Sequence, residues 1–311
     1  MSTTSVVEDK RELLNNPIHG IYIPIGLFIV GVCIIDYKYL PYALIPLILL
    51  VSIRSLSAYN RRSSILPNKW RSLELVDKTI ISRDSAIYRF QLVRSDEILN
   101  IPIGYHLATQ LEENSKEIRY YTPISSKFER GFFDILIKSY PNKQDGISKK
   151  FATLNPGQFV KFKGPVGRFQ YSTNHVKEIG LIAGGSGITP ILQVISEIIT
   201  TPEDLTKISL IYANETENDI LLKDELDEFH EKYPNFKVHY TLTNPPKDWE
   251  GSIGFITKEM VSKYLPTPSD ESRILISGPL GLKKLAIDIT QELGFNSTEL
   301  KSKGDAQVFC F

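Results

Sequence analysis

Cysteine is nearly missing from this chain of 311 residues, which has only Cys33 and Cys310. Two thiols so far apart cannot form a disulfide framework or a cysteine-based zinc site, and such sparse use suits a protein facing the cytosol. The five histidines, His19, His106, His175, His230 and His239, include no pair at ligand spacing, which argues against a metal centre. An excess of one charge is missing as well. Lys+Arg and Asp+Glu number 36 each, so no global field points to nucleic acid. No internal repeat or low-complexity tract is present. What remains is an apolar content of 42%, sufficient for a substantial core, in a chain long enough for two domains of ordinary size.

The apolar residues are unevenly distributed. From Ile18 to Ile35 the chain reads IHGIYIPIGLFIVGVCII, and after Asp36-Tyr37-Lys38 a second run, YLPYALIPLILLVSI, extends from Tyr39 to Ile53. The first run is just long enough to cross a hydrocarbon core of about 30 Å, and the second is short. It is too long for a secretory signal, and no small-residue cleavage pattern follows it. Lys10 and Arg11 precede the pair, and Arg54, Arg61 and Arg62 follow it, which places both outer ends in the cytosol. The expectation is a multi-pass membrane helical hairpin within residues 1–58, embedded in lipid, with the remainder cytosolic. The alternative is one spanning helix followed by an interfacial segment, because Pro41 and Pro46 weaken the second helix.

Ser55 to Asn68 is polar and basic, as in a linker. From Trp70 to about Tyr171 short alternating stretches, IYRFQLV, FFDILIKSY and QFVKFKG, read as strands separated by Pro and Gly. Six or so strands without long helices predict an all-β antiparallel barrel over residues 59–174. After His175 strands alternate with helical segments such as TPILQVISEIIT and LKKLAIDITQEL. This rhythm predicts an α/β parallel sheet of Rossmann-like type over 175–311.

Three stretches have the chemistry of a nucleotide site, and RILISGPLGLKK, with Ser277 before Gly278 and Pro279, suggests a fourth. In LIAGGSGITPILQ, Gly184, Gly185, Ser186 and Gly187 separate a strand from a helix, so backbone N–H groups can approach a phosphate. Pro190 falls in the first helical turn, where its missing donor costs nothing. The spacing is G-x-G-x-x-P rather than G-x-G-x-x-G, and a glycine-rich turn without a ligand is the competing reading. In IRYYTPISS, Arg119 can hold a diphosphate, Tyr121 on the same strand face can cover a flat ring, and Thr122 supplies a hydroxyl. An edge strand with surface polar groups is the alternative there. DGISKKF, with Gly146, Ile147 and Ser148, reads either as an anion cradle or, more simply, as a helix start.

Taken together, these stretches resemble the ferredoxin-reductase-like flavoproteins, most closely the NADH–cytochrome b5 reductase family, over Trp70 to Phe311. RYYTPIS is similar to the family's flavin motif, GPVGRFQY to its interdomain bridge, AGGSGITPILQ to its pyridine-nucleotide loop and YANETENDILLKDEL to a stretch beside the adenosine ribose. The paired apolar segments resemble the fungal branch linked to quinone reduction at the plasma membrane or endoplasmic reticulum.

The resemblance implies a six-stranded FAD barrel followed by an NADH-binding domain, with hydride passing from NADH to flavin N5. It implies FAD contacts at Arg119, Tyr120, Tyr121, Thr122, Ser125, Ile135, Ile137, Lys138, Gly146, Ile147, Ser148 and Thr189. It implies NADH contacts at Gly185, Ser186, Gly187, Pro190, Asp219, Ser277, Gly278 and Pro279. Thr122 and Ser277 fall at the reacting centre, and Asp219 would repel the 2′-phosphate of NADPH. Ser277 stands where the family usually has cysteine, a change toward a more polar and less polarizable group.

The implied acceptor is cytochrome b5 or a quinone. Lys161, Lys163 and Arg168 form a basic cluster that suits an acidic partner or a solvated edge equally well. The sequons at Asn214 and Asn296 are expected to be unused. A degenerate flavoprotein serving as a membrane scaffold is the non-enzymatic alternative.

Overall fold

Alternating burial along short strands builds the first half of the larger of two units into which the chain divides, Met1–Ser63 and Ser64–Phe311. The computed structural model describes residues 23–36, 38, 41, 42, 44, 45, 47–49, 51–53, 64–111, 117–139, 147–296, 300, 301 and 303–311.

In the first unit, helix α1 (Ile23–Ile35) has 13 residues, IPIGLFIVGVCII, and is apolar on every side. At about 1.5 Å per residue these described residues rise roughly 20 Å. Among the described residues no helix is long and apolar enough to cross a membrane. Residues 18–22 of the first expected span lie outside the described residues, as does part of the second.

In the second unit, strands β1 (Arg71–Ile80), β2 (Ser85–Gln91), β3 (His106–Gln110), β4 (Arg119–Tyr121), β5 (Phe132–Lys138) and β6 (Phe159–Val166) form an antiparallel sheet ordered β4-β3-β6-β1-β2-β5. The residues after β4 close it into a barrel. Pro123 pairs with Ile135, and the Ile124 N–H donates to the Asp134 carbonyl at 2.9 Å. Closure removes the exposed edges that an open sheet would leave. Alternate positions point inward, so Leu75, Tyr88, Phe90, Leu107, Phe133 and Phe162 fill the barrel. Phe90 meets Phe162 edge-on at 4.7 Å, a geometry favoured by the ring quadrupoles. Helix α2 (Ile147–Ala152) buries Ile147 and Phe151 against this core.

The second half is a parallel sheet, β10-β9-β8-β7-β11-β12, formed by β7 (Glu178–Gly184), β8 (Lys207–Asn214), β9 (Phe236–Leu242), β10 (Ser252–Ile253), β11 (Ser272–Ser277) and β12 (Val308–Cys310). Helix α3 (Ile188–Thr200) packs Ile188, Ile191, Ile195 and Ile198 on one face, joined by Leu226 of α4 (Lys223–Lys232). Val261 of α5 (Lys258–Tyr264) and Ala286 and Ile287 of α6 (Leu280–Glu292) cover the other face. Strand order reverses between β7 and β11, and ligands of such sheets bind beyond the carboxyl ends at that point.

Arg273 of β11 ties the two halves together. It is 2% exposed, and its guanidinium donates to the carbonyls of Ala306 at 2.8 Å, Gln170 at 2.8 Å and Gly304 at 2.5 Å while lying 4.8 Å over the Phe169 ring. Phe169 and Gln170 belong to the bridge from the barrel, and Gly304 and Ala306 lead into β12. Burial lowers the guanidinium pKa to about 10, still charged at neutral pH. Arg273→Met keeps the bulk but leaves carbonyls without a donor, at a cost of about 1–3 kcal/mol each. A fall in thermal midpoint of roughly 5–10 °C is expected by calorimetry.

Candidate active site

Two hollows compete for the role of functional site. One of about 620 Å³ opens at the amino ends of β7, β8 and β9, beside Glu178, Lys207 and Lys237. The other, of about 460 Å³, lies where the carboxyl ends of β7 and β11 face the barrel. The smaller one is the candidate, because it occupies the switch point of the sheet and gathers the motif residues.

On the barrel side this cleft is lined by Arg119, Tyr120, Tyr121, Thr122, Ile137, Lys138, Ile147 and Ser148. Arg119 and Tyr121 reach it because β4 is an edge strand, only three residues long. Arg119 pairs with Glu117 at 3.1 Å, and the Ile147 N–H at the start of α2 donates to the same Glu117 Oε1 at 3.3 Å. The guanidinium and the helix N–H thus converge on one anionic oxygen. A phosphate of FAD suits that spot once Glu117 gives way, so this donor set fits the diphosphate. Tyr121 packs edge-on against Phe151 at 5.5 Å, and burial raises its phenol.

Across the cleft lie Ser186, Gly187, Thr189, Pro190, Ser277, Gly278 and the terminal Phe311. A Cβ on Gly187 would lie 2.6 Å from the Gly278 nitrogen and the Ser277 carbonyl, so only glycine lets this turn approach β11. Gly185 takes φ +51 with open space where a Cβ would stand, leaving its backbone bare to a ligand. Tyr212 fixes the loop by donating to the Gly185 carbonyl at 2.9 Å. Ser277 is buried at the end of β11. Phe311 is held by its N–H to the Ile276 carbonyl at 3.0 Å and by Lys283, which donates to its oxygen at 3.1 Å.

Other expected site residues are placed differently. Ile135 is buried in the barrel core, whereas Leu136, Ile137 and Lys138, at the end of β5, line the cleft. Ser125 accepts from the Asp134 N–H at 3.2 Å and so steadies β5 rather than lining the cleft. Pro279 precedes α6 outside the lining. Gly146 lies outside the described residues.

Asp219 was expected to face the adenosine ribose, yet both its oxygens are engaged. Oδ1 meets Lys138 of the barrel at 2.5 Å, and Oδ2 accepts from the Thr216 N–H at 3.0 Å and hydroxyl at 2.6 Å. Lys138 also meets Asp84 at 3.4 Å, so one ammonium serves two carboxylates, and Asp219 links the sheet half to the barrel half.

Two further residues at the site, and one nearby on β8, were not assigned a site role from the sequence. His106 lines the cleft edge-on to Tyr120 at 4.9 Å, and burial, helped by Arg168, lowers its pKa so that it is neutral at pH 7. Glu117 is the anionic stand-in described above. Asn214, at the carboxyl end of β8, is buried with both side-chain polar atoms unpartnered, which also rules out a glycan there. A polar residue ending an apolar strand was the available signal for it.

A model of the oxidoreductase FAD-binding domain matches residues 72–171, and one of the oxidoreductase NAD-binding domain matches residues 181–287. The plasma membrane-associated coenzyme Q6 reductase PGA3 of Saccharomyces cerevisiae is 51% identical over 97% of this chain and 98% of its own. NADH-cytochrome b5 reductase 1 of Ajellomyces capsulatus is 45% identical over 94% of this chain and 96% of its own. The chain belongs to the NADH–cytochrome b5 reductase family. The solved cytochrome b5 reductase domain of Ulva prolifera nitrate reductase is similar to this reductase with TM-score 0.74 at 32% identity, over 80% of this chain and 100% of that one. This reductase is an NADH oxidoreductase with FAD- and NAD-binding domains, and the non-enzymatic alternative is set aside.

The Lys138–Asp219 pair of this reductase has a defined pH window. Burial raises the Asp219 carboxyl, but its bonds to Lys138 and Thr216 outweigh this and hold it below its usual value. Burial lowers the Lys138 ammonium, and Asp219 outweighs this to leave it above its usual value. The Asp219 contribution is therefore present above the usual carboxylate range and fades as pH falls through the lowered pKa. The Lys138 contribution is present below the usual lysine range and fades as pH rises through the raised one. Asp219→Asn should lower the thermal midpoint by roughly 2–6 °C at pH 7. The difference from the parent should shrink only as pH falls below the usual carboxylate range and through the lowered pKa of the parent carboxyl.

Proposed function

We propose that this reductase is a membrane-tethered NADH:quinone oxidoreductase, with its FAD held in the cleft between β4 and the glycine loop. The observation that carries the cofactor assignment is the convergence of Arg119 and the Ile147 N–H on a single anionic oxygen, opposite Ser277 and Gly278. Arg119, the Ile147 N–H and the Ser148 hydroxyl hold the FAD diphosphate. Tyr121 covers the flavin and ribityl side, and the buried Thr122 offers its hydroxyl to the flavin ring. Gly185, Gly187 and the start of α3 receive the NADH phosphates, while Thr189, Ser277 and Gly278 wall the nicotinamide. Leu136 and Phe311 exclude water from the reacting face. Bound FAD supplies the conversion between two-electron and one-electron chemistry, and the chain supplies position and electrostatics.

The quinone reading rests on the 51% identical relative, whose name specifies coenzyme Q6 and a plasma membrane association, and whose similarity extends over the apolar N-terminus. The all-apolar α1 agrees with lipid contact. Cytochrome b5 is the second reading, favoured by the relatives named for it. The basic cluster adds little to it. Arg168 is engaged internally, donating to the carbonyls of Leu300 and Cys310 at 3.3 Å and lying 5.2 Å over Phe309.

Steady-state turnover at fixed NADH should give a higher kcat/KM with a short-chain quinone than with cytochrome b5, and the reverse order rejects the quinone reading. Arg119→Ala should lower FAD affinity by about 10- to 100-fold, read as flavin per folded protein, since a charge-assisted bond is worth about 1.5–3 kcal/mol. Ser277→Cys should speed flavin reduction by NADH in stopped flow with the fold unchanged.

A further inference from the structure

The chain enters the second unit at a point that is itself apolar and exposed. Ser64 donates its N–H and hydroxyl to the Glu97 carboxylate, each at 2.5 Å, and its Oγ accepts from the Val93 N–H at 2.7 Å. The two side chains flanking this clamp face solvent, Val93 at 65% exposure and Ile98 at 37%. Ile98 then opens a groove of about 650 Å³ whose floor includes Leu99, Ile101 and Ile103. Phe128, 63% exposed, stands at its rim, and Lys127 beside it is tied to Glu197 of α3 at 2.6 Å. Nothing catalytic is assigned to these residues, and a cluster of exposed apolar side chains beside a groove signals a partner.

We propose that this face, Val93, Ile98, Phe128 and the groove between them, rests on a lipid bilayer. The inference depends on the membrane-tethered reading. Chain length selects the occupant. Residues 54–63 join the apolar segment ending at Ile53 to the clamp at Ser64, and even fully extended they reach only about 40 Å. A tether that short keeps its point of entry near the membrane, and at that point Val93, Ile98 and Phe128 face solvent. Large apolar side chains beside a tether partition into the headgroup boundary, and each adds affinity in proportion to the area it buries. Phe255, 78% exposed, lies far along the chain beyond the edge strand β10 and has no such tether beside it, so it serves as the comparison site.

The test uses the full chain in vesicles of phosphatidylcholine and phosphatidylserine, with the photoreactive p-benzoylphenylalanine placed at Phe128 or at Phe255. Flotation with the vesicles reads the tether, and tritiated lipid covalently captured on illumination reads the face. Turnover of NADH with ferricyanide, a water-soluble acceptor, checks that each labelled protein is folded. The expected result is flotation of both proteins with at least fivefold more lipid captured at 128 than at 255. Flotation with equal or no capture at 128 overturns the face while leaving the tether standing. Capture at 128 of a second copy of the chain instead of lipid overturns it in favour of a protein interface. Failure to float overturns both the tether and the face.

Discussion

The buried guanidinium of Arg273 fixes the relation between barrel and sheet, and most of the site depends on that relation. Neither half contains a complete cleft. The barrel contributes β4, β5 and the start of α2, and the sheet contributes the glycine loop and the end of β11. Arg273 gathers three carbonyls from the bridge and the C-terminal segment, so the bridge, β11 and β12 move as one piece. A charge without a carboxylate partner is tolerated there because its donors are satisfied by carbonyl dipoles and its face lies on an aromatic ring. The same arrangement seats Phe311, which follows β12 directly and closes one side of the cleft.

Around this joint the charges are arranged in pairs that cross from one half to the other. Lys138 reaches Asp219, and Lys127 reaches Glu197. Gln193 adds a neutral link, accepting from the Gly104 N–H at 2.6 Å. The Lys138 pair is well shielded from water, so it is screened less than a surface pair. Lys138 lies on the wall of the cleft and also meets Asp84 at 3.4 Å, so one cation there faces two carboxylates. At the other end, Glu117 occupies the position where two donors aim, which keeps the anion site satisfied until a stronger anion takes it.

The apolar residues of the N-terminal unit and those beside Ser64 raise the same physical question at two scales. Helix α1 is apolar on every side, and the patch near Val93 and Phe128 is apolar where its surroundings are not. The proposed lipid contact would satisfy both. Under that reading the cleft and the membrane face are separate surfaces of one catalytic unit, joined through Phe169, which lines the groove and packs 5.2 Å from Phe311 of the cleft.

The sequence alone determined the order and type of the elements, because alternation at period two and amphipathic helices are local patterns that survive without tertiary context. It also determined the chemistry of the motifs. Arg119, Gly187 and Ser277-Gly278 announce phosphate and ring contacts by their residue types, and the fold brings them to one cleft. The tertiary structure decided what depends on partners distant in the chain. It left Ile135 inside the barrel and brought Leu136, Ile137 and Lys138, at the end of β5, to the cleft. It bound Asp219 to a lysine of the other domain, left Asn214 buried without a partner, and put His106 beside Tyr120. No local pattern encodes such pairings, because each depends on which side chain another element delivers within a few ångströms.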